Sequence, residues 1–426
     1  MNGMLRIIND LYYLNRVFCS SDYDRSIDYL CSIIPFTIYR FSSDKQNNGW
    51  IIPPKWDVLE AKIIKYGEII YDATENPLRL IALSLPFEGT VTCDELKKHL
   101  HYDARYDAAV PYHFRQMYRS WERDWGFCVP KSFYDSLEPG EYEVIIRTKE
   151  AEGELKVLEY TREGKLDSTI LLAAHLDHPG MANDDLAGCA VGIEVMRRLK
   201  DRPTKFSYSL LLHQEIIGAE YYLAHNRDNS ILEGLFLEML GTDTQLGLQS
   251  APWGMTNIEF FLKQAIDNAG IAYSHKPYGD IVVNGEYIFA GYDIPVSSLS
   301  RYPYPEYHTD RDNPDIITEN SLEESVNLVM EAIDRLENDP LIIKNFEGNI
   351  CVSNPVYDLY VDPGQPAFGS VHNNHDMQQL RKLMELLPSY DRPISCQYLA
   401  HQFSMDSDLC EQYLQKWQER NLIKII

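Results

Sequence analysis

Ser168-Thr-Ile-Leu-Leu-Ala-Ala-His175-Leu-Asp177-His178-Pro179 is an unbroken apolar run that ends abruptly in ionisable groups. Its length and uniform hydrophobicity predict a strand buried on both faces, with functional side chains where the chain leaves the sheet. The surrounding text repeats the pattern. Gly188 to Leu199 carries the helical stripe Val191, Val195, Leu199, and Tyr208-Ser-Leu-Leu-Leu-His213 is a second buried strand. A helix over Gly218 to His225 follows, then strands at Leu235-Phe-Leu-Glu-Met-Leu240 and Ile294-Pro-Val-Ser-Ser-Leu299. Upstream, Glu143-Val-Ile-Ile-Arg147 and Leu155 to Tyr160 also read as strands, and the amphipathic stretch Asn320 to Leu336 closes the run. Such alternation predicts an α/β fold, a mixed sheet flanked by helices on both faces.

Two other textures interrupt this one. Met4 to Ile34 has helical spacing (Leu11, Leu14, Val17, Phe18, then Ile27, Leu30, Ile34). From Gly49-Trp50, short apolar runs alternate with Pro, Gly and Asn, through Ile51-Ile52, Ile63-Ile64, Ile69-Ile70-Tyr71 and Leu78 to Leu85, with a helical piece over Cys93 to His101. That reads as a small β-rich insert. The expected organisation is a catalytic domain over 1–45 and 123–345, a β-rich inserted domain over 46–122, and a linker plus C-terminal domain over 346–426. Asn345 to Asn374 is the linker. Helices over Met377–Leu387, Cys396–Phe403 and Asp406–Arg420, then the strand Leu422-Ile-Lys-Ile-Ile426, follow winged-helix order.

Of 426 residues 45% are hydrophobic and 24% charged, ordinary for a globular chain of two or three domains. The formal net charge of −25 repels phosphate backbones and argues against nucleic acid. The would-be recognition helix agrees: it opens on Asp406, Asp408 and Glu411, with only Lys416, Arg420 and Lys424 nearby as basic groups. Eight scattered cysteines form no C-x-x-C pair and read as reduced thiols. With no signal-peptide pattern and no long apolar span, the expectation is a cytoplasmic protein without a membrane partner.

The chemistry concentrates at strand ends. His175, Asp177 and His178 follow one strand, Ala182-Asn183-Asp184-Asp185-Leu186-Ala187-Gly188 leads into a helix, and His213-Gln214-Glu215 ends the next strand. Glu238 lies in a fourth segment, and Glu306-Tyr307-His308-Thr309-Asp310 follows the last one. In open α/β sheets ligands gather at carboxyl ends of strands. Taken singly, a His after a strand is usually structural and Asp-Asp before a helix usually a cap. Their coincidence in one domain makes a metal site the better reading, since His, Asp and Glu suit zinc or a similar divalent cation. His178, His213 and Glu220 stand as either supporting or structural groups.

The order H-x-D, N-D-D-x-x-G, a Glu after a strand, an acidic residue, then Y-H-T-x-x-D resembles the co-catalytic zinc aminopeptidases. Their fold is the phosphorylase/hydrolase-like sheet shared with zinc carboxypeptidases. More narrowly, Trp125-Gly-Phe-Cys128, His178-Pro-Gly-Met-Ala-Asn-Asp184 and Pro305-Glu-Tyr-His-Thr309 resemble bacterial aminopeptidase-like proteins of polysaccharide-biosynthesis clusters, which carry a winged-helix tail. The likeness spans almost the whole chain. It implies two zinc ions, or another divalent metal, with His175 on one, His308 on the other and Asp184 bridging. Asp177 would orient His175, Glu238 would fill an aspartate ligand position, and the Asp184–Asp185 peptide would be cis.

The departure lies at the aminopeptidases' Glu-Glu pair, a general base followed by a ligand, where this chain has Gln214-Glu215. Aligned directly, Gln214 stands in the base position and Glu215 is a metal ligand. A loop shortened by a residue or two, as the nearby Gly218-Ala219 suggests, makes Glu215 the base. The leading expectation is a metal-dependent hydrolase of an amide bond, with Glu215 and Asp177 as catalytic groups and a small peptide, aminoacyl or N-acylated substrate. In that reading Tyr302 or Tyr304 stabilises an oxyanion and Arg301 meets a substrate carboxylate. The alternatives are a fold-retaining binding or scaffold protein without peptidase activity, motivated by Gln214, and a metal-sensing regulator, opposed by the charge. A homo-oligomer is left open.

Overall fold

The computed structural model of the protein describes residues 3–43, 45, 47–226, 230–281, 286–362 and 375–426. Residues 363–374 of the expected linker lie outside that description. The chain divides into two compact units, one of Met1–Thr256 with Asn268–Met330, the other of Asn257–Asp267 with Glu331–Ile426.

The first unit is built on an eight-stranded mixed sheet. Its strands are β1 (Thr37–Ser42), β2 (Glu154–Arg162), β3 (Thr169–His175), β4 (Ser207–His213), β5 (Ile231–Glu238), β6 (Leu246–Gln249), β7 (Tyr273–Lys276) and β8 (Val296–Ser300). Their spatial order is β1-β2-β4-β3-β5-β8-β6-β7, and the four middle strands run parallel. Every residue of β3 is buried, because neighbours on both sides and layers on both faces leave none to solvent. Register places the chemistry: His213 pairs with His175, and Glu238 lies two residues past the Phe236–Ala173 pair. His175 and Glu238 therefore reach the same level on adjacent strands.

The four-stranded sheet of the insert takes one strand from outside it. Lys55–Lys65 and Phe87–Thr92 both pair with Glu141–Ala151, and Glu68–Asp72 lies on the outer edge. Glu141–Ala151 was expected in the main sheet. Its alternating burial marks a half-buried strand, and alternation alone does not name a partner. One apolar core includes Trp56, Ile63 and Ile146 of this sheet with Leu171 and Phe236 of the large one. The insert is thus packed onto the domain that carries it. A segment of the insert also pairs with the loop after β8: Tyr112 N donates to His308 O, and Asp310 N to Val110 O.

The second unit holds the helices His375–Leu386, Cys396–Gln402 and Ser407–Glu419 with a three-stranded antiparallel sheet. Leu341–Lys344 is its middle strand, between Ile394–Ser395 and Ile423–Ile425. The unit therefore begins before residue 346. Leu383, Leu399, Cys410, Leu414 and Trp417 fill its core. Asp406 accepts from the amides of Asp408 and Leu409, so the acidic start of Ser407–Glu419 serves as a helix cap. All eight thiols are free, and no helix among the described residues is long and apolar enough to cross a membrane.

Arg16 has no exposed surface and spends its guanidinium on carbonyls. Nε donates to Leu176 O at 3.0 Å, Nη2 to His178 O at 2.7 Å and Met181 O at 3.0 Å, and Nη1 to Leu11 O and Tyr12 O. It clamps the loop after β3 to the N-terminal segment. Arg16→Met keeps the volume but leaves buried carbonyls without donors, so urea denaturation should show a loss of about 3–4 kcal/mol. Lysine should restore only part, because a point charge does not span the fork.

Candidate metal centre

Five sequence-distant segments meet at the carboxyl ends of β3, β4, β5 and β8. His175 closes β3, and Asp177 and His178 stand in the loop beyond it. Asp184 comes from the turn before the helix Gly188–Leu199, Glu215 from the turn after β4, Glu238 from the end of β5, and His308 from the loop after β8. His178, Ile216, Met239 and His308 all hold positive φ, at 79°, 65°, 55° and 57°. Non-glycine residues there cost roughly 1–3 kcal/mol each and gather at sites where geometry serves function.

Asp184 is the hub. Its Oδ1 lies 3.0 Å from His175 Nε2, and its Oδ2 lies 3.2 Å from His178 Nδ1 and 3.1 Å from His308 Nε2. His175 Nε2 is 3.6 Å from Glu238 Oε1, and His175 Nδ1 is 3.6 Å from Asp177 Oδ1. Asp177 Oδ1 also accepts the Glu215 amide N–H at 2.7 Å. Glu215 Oε2 meets His178 Nε2 at 3.2 Å and accepts from the Tyr118 hydroxyl at 2.7 Å.

Neighbouring carboxylates hold the frame. Asp312 accepts the backbone N–H groups of Ala182, Asn183 and Asp184 and the hydroxyl of Tyr304. Asp185 accepts from the amides of His175, Gly188 and Met239. Glycine is required at 188: a Cβ there would stand 2.1 Å from Leu237 O and 2.4 Å from Asp185 Oδ1. That explains the last position of N-D-D-x-x-G. The Asp184–Asp185 peptide is cis, as the resemblance implied.

A cation fits this donor set. Nδ1 of His178, Nε2 of His175 and His308, and Oδ2 of Asp184 are buried without hydrogen-bond partners, although each imidazole nitrogen lies 3.0–3.2 Å from an oxygen of Asp184. Ligand atoms of a tetrahedral zinc, at 2.0–2.1 Å from the ion, lie about 3.3 Å apart. The 3.0–3.6 Å separations around Asp184 match such edges and miss hydrogen-bond geometry. Buried charges need pairing or a metal. Burial opposes charge on His178, yet Asp184 and Asp177 carry it up to about 10; His175 is likewise raised, by Asp177, Asp184 and Glu238 against burial. Burial would raise Glu215, but His178 and His175 bring it down to about 2, and Asp184 is lowered well below the carboxylate range by His178, His175 and His308. The carboxylates draw positive charge between them, which suits a metal ion.

Other residues singled out in the sequence lie outside the cluster. Gln214 is fully buried and donates to Phe18 O at 3.0 Å, so Glu215, one residue on, is the group that meets His178. His213 Nδ1 donates to Gln214 O, and burial lowers it to about 4. Glu220 accepts from Asn47 and Tyr292. Arg301, expected to meet substrate, bonds instead to Thr244 O and Glu324 and is 4% exposed. The Tyr304 hydroxyl, expected at an oxyanion, is given to Asp312. Tyr302 packs edge-on to Tyr307, whose ring stacks on His308 at 3.8 Å.

Three aromatic groups of the insert carried no motif. The Tyr112 ring lies 4.9 Å from that of His178 and 5.4 Å from that of His308, Phe114 is 5.3 Å from His308, and Tyr118 bonds Glu215. Asp312 was visible in the sequence as the last residue of Y-H-T-x-x-D, but nothing there gave it a role.

Comparison with known proteins agrees with this architecture. A Clostridium acetobutylicum protein described as a polysaccharide biosynthesis protein with an aminopeptidase-like domain is 28% identical over 341 residues, 78% of this chain and 77% of its own. The crystal structure of a protein described as a peptidase from Clostridium acetobutylicum superposes with a TM-score of 0.77 at 24% identity, covering 99% of this chain and 96% of that one. A zinc aminopeptidase from Bacillus subtilis gives 0.59 at 14% identity over 78% of this chain and 94% of that one. The large mixed sheet flanked by helices is thus the zinc-aminopeptidase fold. The family described as a domain of unknown function (DUF4910) matches residues 5–339, and the chain belongs to it.

Proposed function

We propose that the protein is a metal-dependent hydrolase of an amide bond, aminopeptidase-like, with a binuclear site bridged by Asp184. The observation that carries this reading is the set of unpartnered imidazole and carboxylate atoms spaced around Asp184 at coordination distances. His175 and Glu238 would hold one ion and His308 the other. Two divalent ions there would polarise a scissile carbonyl and acidify a water.

The chain's own groups do the rest. Both bonds to Glu215 fall on Oε2, which leaves Oε1 to take a proton from the attacking water and return it to the departing nitrogen. Asp177 fixes His175 through Nδ1 and Glu215 through its backbone. Tyr118 positions the proton shuttle. Tyr118→Phe should lower kcat roughly 10–100-fold with KM unchanged, measured beside metal content to show that the ions remain. The scaffold alternative rests on Gln214, whose side-chain amide donates a hydrogen bond to the Phe18 carbonyl, which favours Glu215 over Gln214 as the base.

Candidate substrates are small peptides, aminoacyl compounds and N-acylated molecules. The description of the Clostridium relative puts N-acylated sugar derivatives in the same screen. The test is elemental mass spectrometry of purified protein with hydrolysis assays before and after phenanthroline. About two ions per chain, and activity lost with the chelator and regained with zinc, are expected. A chain that takes up no ion even from added zinc sinks the hydrolase reading.

A further inference from the structure

We propose that His178, through Nδ1, is a ligand of the second ion, in the place where the aminopeptidase pattern has a carboxylate, and that Glu215 is thereby released for proton transfer alone. This rests on the binuclear reading and assigns that site's third protein ligand.

Three observations converge. His178 Nδ1 and His308 Nε2 lie 3.2 and 3.1 Å from the same oxygen of Asp184, and none of the three atoms has a hydrogen-bond partner. The His178 side chain is 3% exposed, so no water shell satisfies it. Its other nitrogen is committed: Nε2 meets Glu215 Oε2 at 3.2 Å. A carboxylate oxygen accepts only, so Nε2 holds its proton against Glu215, while Nδ1 makes no hydrogen bond and is the nitrogen free to give a lone pair to an ion beside Asp184. That is the tautomer a metal ligand needs, fixed by the partner on the far nitrogen.

Glu215 stands one step further out. Its closest charged partners are His178 and, through the backbone, Asp177, while Tyr118 fills Oε2. The chain reason lies in the turn after β4. The helix begins at Ile217, two residues past Glu215, and Ile216 at φ 65° makes the reversal. So short a turn carries one carboxylate into the site. The loop after β3 supplies the missing ligand instead, with His178 at φ 79° turned toward Asp184.

An imidazole in place of a carboxylate removes one negative charge from the second ion's shell. Two imidazoles and a shared carboxylate suit zinc, cobalt or nickel better than manganese or magnesium, which favour oxygen donors. The full chain should be stripped of metal and titrated with zinc by calorimetry, with elemental analysis of the loaded products. The wild type should take up two ions, His178→Ala and His178→Gln one, and Glu215→Gln and Glu215→Ala two. His178→Gln keeps a donor toward Glu215 and serves where alanine disturbs folding, checked by near-ultraviolet circular dichroism. Two ions in a folded His178 variant, or one in Glu215→Ala, overturns the assignment. No uptake by the wild type instead refutes the binuclear reading itself, and so is separable from failure of His178 alone.

Discussion

Glu215→Gln is expected to give a folded, metal-loaded protein whose amide hydrolysis falls by roughly 10²–10⁴-fold. The substitution is close to isosteric. Its remaining oxygen can still accept from the Tyr118 hydroxyl and from His178 Nε2, the two bonds that fix the side chain. The amide nitrogen then occupies the position of Oε1, where it donates and takes no proton. Ground-state binding should change little, so the loss should fall on kcat with KM nearly constant. The same protein measured for metal should hold the wild-type complement. An unchanged rate would remove Glu215 from proton transfer and leave Tyr118 without its proposed role. Loss of an ion along with rate would mean that Glu215 ligates, as the direct alignment of Gln214-Glu215 with the aminopeptidase pair has it.

Much of the scaffold was legible because the central strands are buried on both faces. Residues 168–174, 208–213 and 235–240 read as strands, the structure has strands at 169–175, 207–213 and 231–238, and their ends lie where ligand groups belong. Leu246–Gln249 and Tyr273–Lys276 gave no such signal: each is four residues long, and the second is partly exposed. Glu141–Ala151 read correctly as a strand, but sequence periodicity does not choose between two sheets. The same limit applies to the site. His175, Asp184, Glu238 and His308 stand at strand ends and in motifs, so their grouping could be expected. His178 opens the stretch His178-Pro-Gly-Met-Ala-Asn-Asp184, yet its partner Glu215 lies thirty-seven residues away. Tyr118 and Arg16 act across separations of 97 and 160 residues. Nothing local marks them. Arg301 and Tyr304 had the right chemistry near the right strand, but Glu324 and Asp312 engage them.

Asp184→Ala should have the larger effect on metal, since each carboxylate oxygen serves different imidazoles: Oδ1 faces His175, and Oδ2 faces His178 and His308. Removing either His175 or His308 takes a ligand from one ion. Removing Asp184 takes a ligand from both and also the negative charge that lets two cations lie about 3.5–4 Å apart. Elemental analysis should therefore find less than about one ion per chain in Asp184→Ala, against about one in His175→Ala or His308→Ala. The fold should survive, because Asp312 grips residues 182–184 by their backbone amides and Asp185 ties β3, β5 and the helix from Gly188 together. Neither anchor uses the Asp184 side chain. The cost to the metal-free protein is also limited, since imidazoles deprived of a carboxylate can shed their protons, which a guanidinium cannot. Near-ultraviolet circular dichroism should stay native while the zinc-induced rise in Tm, present in the wild type, disappears. An Asp184→Ala protein that still gains Tm with zinc and holds two ions would show that the cations are held without the bridge.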